Sequence, residues 1–315
     1  MCGWALVSVV IPTRGRPQLV LCAVESALRQ SYVPLETIVV IDGPDSETAR
    51  SLRGLRDERL RLIELDENAG GSEARNIGVR AAHGEWVAFL DDDDQWLQEK
   101  LEKQMEVAVT AHARYPIVSS RLLAYGADGD RILPRRLYQA GENMADYLFY
   151  RRGFSYGDGM LQTSTLLTKR ELLLDVPFLR GLERHQDWDW LLRVARRPDV
   201  KIEMLPEALA LMRMAGPGES VSRVADWKAS LAWAKSVRSL MSGRAHSFFI
   251  ATECVPRARK SGAGPRVQML LFWEFLRNGR FGLKQFALFL AFWLLPVGVR
   301  DRLRNRRYEQ VQQEN

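Results

Sequence analysis

The sequence predicts an α/β fold with a mainly parallel central sheet flanked by helices and followed by a helical C-terminal tail. Short β-branched apolar runs alternate with stretches of helical spacing over residues 7–111, the order that builds a parallel sheet with helices on its faces. Those apolar runs are continuous rather than alternating, so the strands they form are buried. From residue 256 the composition turns to apolar and arginine-rich segments, which sets the tail apart.

The elements follow in order. "VSVVIP" at residues 7–12 is a strand stopped by proline. Residues 18–30 have helical spacing, with Leu19, Ala23, Ala27 and Leu28 on one side. "ETIVVIDG" at 36–43 is a second strand ending in Asp42. A Ser46 cap opens a helix over 46–55. "LRLIEL" is the third strand, 71–82 a helix, 86–90 the fourth strand and 98–111 a further helix. In open α/β sheets ligands bind outside the carboxyl ends of the strands. Asp42 closes the second strand and Asp91–Asp94 follow the fourth, so both acidic sites are expected on one rim.

With 315 residues, 46% of them hydrophobic, the chain has room for one large domain plus an appendage. The expected division is 1–230 for the catalytic domain and 231–315 for a helical, basic region. Cys2, Cys22 and Cys254 are scattered and odd in number, without disulfide or metal-ligand spacing, which fits a reducing compartment. No basic segment precedes "ALVSVVIP", so it reads as strand rather than signal peptide, and the cytoplasm is the expected location. The net charge is +6, but residues 256–315 hold twelve Lys/Arg against four Asp/Glu, a balance of +8. The first 255 residues are therefore at −2. Basic residues confined to the tail do not make a nucleic-acid surface.

"GEWVAFLDDDDQW" raises the sharpest question. Four adjacent aspartates repel one another and need compensation. A solvated loop is one reading, with Asp94 capping a helix that starts near Trp96. A divalent cation is the other. Mg²⁺ or Mn²⁺ binds one or two carboxylates plus substrate phosphate oxygens, and neutralises the charge growing on a phosphate leaving group.

"SVVIPTRGRP", "VVIDGPD", "NAGGSEARNIGVRAAHGEWVAFLDDDDQWLQEKLE" and "RHQDWDWLLRVA" stand in the order found in family 2 glycosyltransferases of the GT-A (Rossmann-like) fold, and the chain resembles that family over about residues 5–225. The resemblance implies an inverting transfer from a nucleotide-sugar donor, usually UDP- or dTDP-linked and here UDP-linked by expectation, to a hydroxyl of a glycan or lipid-linked acceptor, with Mn²⁺ or Mg²⁺ as cofactor. It implies bacterial surface polysaccharide synthesis as the setting. By the same resemblance Asp42 reads the nucleobase edge, Thr13 shapes the nucleotide pocket, and Arg75 lies near the donor phosphates or ribose. Asp91 faces the ribose or donor sugar, and Asp93 is the direct metal ligand. Asp92 and Asp94 are left as supporting or solvated.

"LERHQDWDWLLRVARR" reads as a helix from Gln186 with Trp190, Leu191 and Val194 inward. Acids in a first turn compensate the macrodipole, which would explain Asp187 or Asp189. The resemblance selects Asp187 as general base, aided by positioning and a water-poor site. Two departures stand out: the family commonly carries Glu where this chain has Gln186, and a His in the stretch matching "LMRMAGPGESVS", where Arg213 or Ser220 would have to serve. "LQTSTLLTKREL" resembles the acceptor-side strand, and Thr163 and Thr165 alternate with apolar neighbours as in a half-buried strand.

In the tail, "QFALFLAFWLLPVGV" is 15 uncharged residues interrupted by Pro296, shorter than the about 20 a spanning helix needs. "QMLLFWEFL" is a second apolar patch, and "RDRLRNRR" carries five arginines. The combination suits peripheral binding to the inner face of an anionic cell membrane. A helical pair docked on protein is the alternative. Two other functions would call for different residues. A haloacid-dehalogenase-type phosphotransferase would carry Thr or Val where Gln95 stands. A non-catalytic nucleotide-sugar-binding protein would have no need of Asp187.

Overall fold

A computed structural model of the chain describes residues 5–126, 129–151, 157–214, 226–278 and 282–294. Ser220, Pro296 and the "RDRLRNRR" run lie outside the described residues. The chain divides into two compact units. One comprises Met1–Glu142 and Met160–Met214, the other Asn143–Gly159 and Ala215–Asn315.

The first unit begins with β1 (Val7–Thr13), α1 (Pro17–Leu28), β2 (Leu35–Ile41), α2 (Ser46–Arg53), β3 (Leu60–Glu64), α3 (Gly71–Ala81) and β4 (Trp86–Phe89). It continues with β5 (Asp94–Trp96), α4 (Lys100–Thr110), β6 (Tyr115–Tyr125) and β7 (Arg131–Leu133). After α5 (Met144–Phe149), which belongs to the second unit, come β8 (Leu167–Lys169), α6 (Arg170–Asp175), α7 (Gln186–Val194) and β9 (Val200–Arg213). The strands form one sheet in the order β3-β2-β1-β4-β8-β6-β9-β5, with β7 on β6. The β3-β2-β1-β4 half is parallel, as the alternation of strand and helix requires. Beyond β4 the sheet is mixed: β8 runs antiparallel to β4 and β6, β9 parallel to β6, and β5 antiparallel to β9.

Continuous β-branched runs bury both faces of β1 and β2, while β3 at the edge, LRLIE, is only half-buried rather than buried as expected. Val7, Val9, Ile11, Val39 and Ile41 pack with Val20, Ala23, Val24 and Ala27 of α1. The inward stripe of α1 is thus centred on Val20 and Val24, with Leu19 and Leu28 half-buried at its margins. Gly78 lets α3 lie close on β1, since a Cβ there would stand 2.4 Å from Val10 Cγ1.

Several local expectations are corrected. Asp45, not Ser46, caps α2, accepting from the Thr48 N–H. Asp94 caps no helix: it starts β5, paired with Met212 of β9, and α4 begins later, at Lys100. Thr163–Thr165 is a single 3₁₀ turn before β8, because Gln162 caps it by accepting from the Ser164 N–H.

The second unit holds α5, α8 (Trp227–Ser236), α9 (Gly243–Phe249), a π-helical turn (Ile250–Cys254), α10 (Val255–Lys260), α11 (Pro265–Asn278) and α12 (Leu283–Leu294). Its core is aromatic. Phe149 meets Phe249 at 5.3 Å and Trp233 at 6.2 Å, and Phe275 meets Phe289 at 4.8 Å. His246 is fully buried beside Glu274, and burial pushes its imidazole down to about 4. Among the described residues no helix is long and apolar enough to cross a membrane.

Candidate active site

Parallel strands carry their carboxyl ends to one rim, so Thr13, Asp42 and the aspartate run come together. The Asp42 N–H donates to the Thr13 carbonyl, and the Leu90 N–H to that of Val10. The Asp42 carboxylate accepts from the backbone N–H groups of Ala69 (2.6 Å) and Gly70 (3.0 Å). It thereby anchors the turn that opens α3. Gly70 holds φ +84°, a left-handed conformation that favours glycine.

The four aspartates are compensated within the protein, and each differently. Asp92 is buried; it accepts from Thr13 Oγ1 at 2.8 Å and pairs with Arg16 at 2.9 Å. Burial nevertheless pushes its carboxyl up to about 6 against these two partners. The same guanidinium reaches Asp93 at 3.1 Å. Asp93 is raised by burial and by the Asp91 charge. Asp94 is buried and raised well above the usual carboxylate range, again by burial first and Asp91 next. Its Oδ2 accepts from Ser164 Oγ at 2.6 Å and Gln162 Nε2 at 2.7 Å. Ser164 Oγ also accepts the Asp91 N–H, so one hydroxyl ties both ends of the run. Asp92 and Asp94 are therefore buried scaffold residues and not solvated ones.

Asp91 points to the other side of the site. Its Oδ1 pairs with Arg75 at 2.5 Å, and its Oδ2 accepts from Gln162 at 3.1 Å. Arg75 in turn donates to Gln186 Oε1 at 2.8 Å, while Gln186 Nε2 donates to the Leu182 carbonyl at 2.6 Å. Arg75 Nε is buried without a partner among the described residues. His185, at φ 62°, turns the chain into α7 and stacks on Trp188 at 4.8 Å. Asp187, two residues on, is half-buried. Desolvation pushes its carboxyl up to about 6, opposed by its bond to the Trp188 N–H and by Arg75, and reinforced by Asp91. Asp189 is turned away from this group, buried and paired with Arg193 at 2.8 Å.

The predicted residues thus converge: Thr13 and Asp93 through Arg16 and Asp92, Asp91 through Arg75 to Gln186 and Asp187. Arg16, Gln162 and Ser164 were not singled out from sequence. Arg16 stands in the quoted "TRGRP" motif. Gln162 and Ser164 were hidden by reading "LQTST" as strand. Among the described residues no group of three His, Cys, Asp or Glu side chains is arranged to hold a metal. The partly exposed Asp93 carboxylate, raised beside Asp91, does fit a cation that takes one or two carboxylates and completes its shell from phosphate oxygens.

The sheet and its acidic rim belong to the GT-A class of glycosyltransferase folds. S. aureus TarS in complex with UDP-GlcNAc superposes over 91% of this chain and 79% of that one, with TM-score 0.55 and 16% identity. The chain covers half of a longer TarS structure (TM-score 0.60). A mannosyltransferase from Pyrobaculum calidifontis, solved with GDP-Man and Mn²⁺, matches over 98% and 81% with TM-score 0.52 and 17% identity. The model of glycosyl transferase family 2 matches residues 8–173, more than half of the chain. The chain belongs to that family and is a glycosyltransferase. The amylovoran biosynthesis glycosyltransferase AmsB of Erwinia amylovora is 26% identical over 246 residues, 75% of this chain and 79% of AmsB.

Proposed function

We propose that the protein transfers a sugar from a UDP-sugar donor to a hydroxyl of a glycan or lipid-linked acceptor, with inversion, in bacterial surface polysaccharide synthesis. The observation that carries this reading is Asp187. A half-buried carboxylate whose carboxyl sits at about 6 is a far better base near neutral pH than an ordinary aspartate. Arg75 and Asp91 of the acidic rim both act on it, which supports an acceptor oxygen held by Asp187 facing the donor sugar. The name of AmsB supports the polysaccharide setting, and the UDP-GlcNAc complex of TarS supports the donor class.

In this reading Thr13 and Asp42 line the nucleotide pocket. Each Asp42 oxygen already accepts one backbone N–H, and a carboxylate keeps capacity for an imide N–H of a base. Arg75 lies near the donor phosphates or ribose, and Asp91 orients Arg75 and faces the donor sugar. Asp93, helped by Asp91, would hold Mn²⁺ or Mg²⁺ together with diphosphate oxygens. Such an ion supplies charge neutralisation for the departing nucleotide. Gln186 positions Arg75 without adding a charge beside the base. Arg213, at the end of β9, stands in for the family's missing histidine. The first unit is the catalytic domain, and the basic helical region 231–315 rests on the inner face of the cytoplasmic membrane.

UDP titrated calorimetrically tests the donor side. Binding is expected with Mn²⁺, and is expected to weaken about tenfold or more in EDTA and in Asp93→Ala. Equal affinity in all three overturns the metal role. No binding of UDP under any of them, with another nucleoside diphosphate binding instead, overturns the donor.

A further inference from the structure

We propose that one face of α11, built from Arg266, Met269, Leu270, Trp273 and Arg277, is the surface by which the helical unit docks on an anionic phospholipid membrane. The inference rests on the membrane reading above and names the face that serves it. At 3.6 residues per turn these five positions fall within about 100° of arc and span about 16 Å. The opposite face of the same helix is committed to protein. Leu271 and Phe275 are fully buried, and Gln268 is nearly so. The aromatic side chains of α12 complete that packing, with Phe289 4.8 Å from Phe275 and Trp293 5.7 Å from Phe272. Helix α11 is thus seated by one side, and among the described residues nothing covers the other.

What is left uncovered is unusual for a surface. Trp273 is 62% exposed, Met269 57% and Leu270 47%, and they adjoin one another over a single turn. Isolated exposed apolar residues need no explanation, but a contiguous patch rimmed by charge does. Tryptophan and a short apolar stripe between two basic residues is the composition that settles at a headgroup boundary, the rings and aliphatic chains below the phosphates and the guanidinium groups among them. The charge of the region points the same way. The +8 balance of residues 256–315 suits an anionic leaflet, since each basic residue near such a surface adds to the attraction. A second copy of this chain would bring the same positive charge to the patch and be repelled.

Flotation with vesicles tests this. The full chain is expected to float with phosphatidylglycerol–phosphatidylcholine vesicles, to lose binding at high salt, and to stay behind with phosphatidylcholine alone. Met269→Ser, Leu270→Ser and Trp273→Ser combined should lower binding by about tenfold or more while leaving UDP affinity and melting temperature unchanged. Should that variant fail to fold, Arg266→Gln with Arg277→Gln tests the same face through its charge. Brominated lipid should quench the parent's tryptophan emission and quench Trp273→Phe less. Full binding by the triple variant overturns the choice of face while membrane binding itself stands. No binding by the parent chain overturns the membrane reading. A parent dimer that the triple variant dissociates, with neither form on vesicles, assigns the face to self-association and overturns the inference.

Discussion

The basicity proposed for Asp187 comes from what surrounds it: burial raises its carboxyl to about 6, and the Trp188 N–H and Arg75 keep it from rising further. As a base it must be ionised. Sugar transfer should therefore climb about tenfold per unit below pH 6 and level off above it. A stopped assay from pH 4.5 to 8 checks this; a flat profile rules out a carboxylate of that pKa. Stability should run the other way. A folded-state pKa above the unfolded value near 4 means the ionised side chain costs the fold, a cost absent at pH 4 and complete above pH 6. Asp187→Asn should thus raise the melting temperature at pH 8 and leave it unchanged near pH 4, as calorimetry at the two pH values would show. The aspartate run shows what a sequence can and cannot say at this scale. Its need for compensation was legible. The compensators were not, because Arg16 and Ser164 reach it from 76 and 70 or more positions away. Ser164→Ala should cost about 1–3 kcal/mol, since it removes a donor from buried Asp94 and an acceptor from the Asp91 N–H; chemical denaturation measures it.

At the scale of elements, the parallel half of the sheet was readable because β1 and β2 are continuous β-branched runs, β4 is a short apolar one, and the helices between keep one apolar stripe. Elements beyond β4 were harder, since their identity comes from distant partners. Asp94–Trp96 is a strand only because β9 lies beside it, and nothing local to "DQW" announces that. The turn at Thr163–Thr165 has the alternation of a strand but is bent by the Gln162 cap. The start of α7 was legible, and it matters most: His185 turns the chain, so that Gln186 meets Arg75 and Asp187 follows into the site. Close packing of α3 on β1 sets the other side of that meeting. Gly78→Ala places a methyl 2.4 Å from Val10 Cγ1 and should destabilise by about 1–3 kcal/mol through overpacking. Unchanged thermal unfolding would show that the helix can lift off the sheet without cost.

For the molecule as a whole, charge and composition mark out a tail in the sequence, and its described residues pack into the helical unit. Leu271, Phe275 and Phe289 are fully buried within the helical unit, so truncation before Gly264 would open its core as well as remove basic residues. Point substitutions on the exposed face of α11 are the cleaner probe. The gathering of donor-side residues and a base on one rim, as proposed, belongs to the first unit. It is tested most directly by following sugar transfer, not donor hydrolysis, in Asp187→Asn and Asp189→Asn alongside calorimetric UDP affinity. The account predicts that Asp187→Asn keeps UDP affinity within about twofold and loses roughly two to four orders of magnitude in transfer. Asp189→Asn, whose side chain pairs with Arg193, should lose mainly stability. Transfer at close to the parent rate in Asp187→Asn would contradict the account, and doubly so if Asp189→Asn were the inactive one.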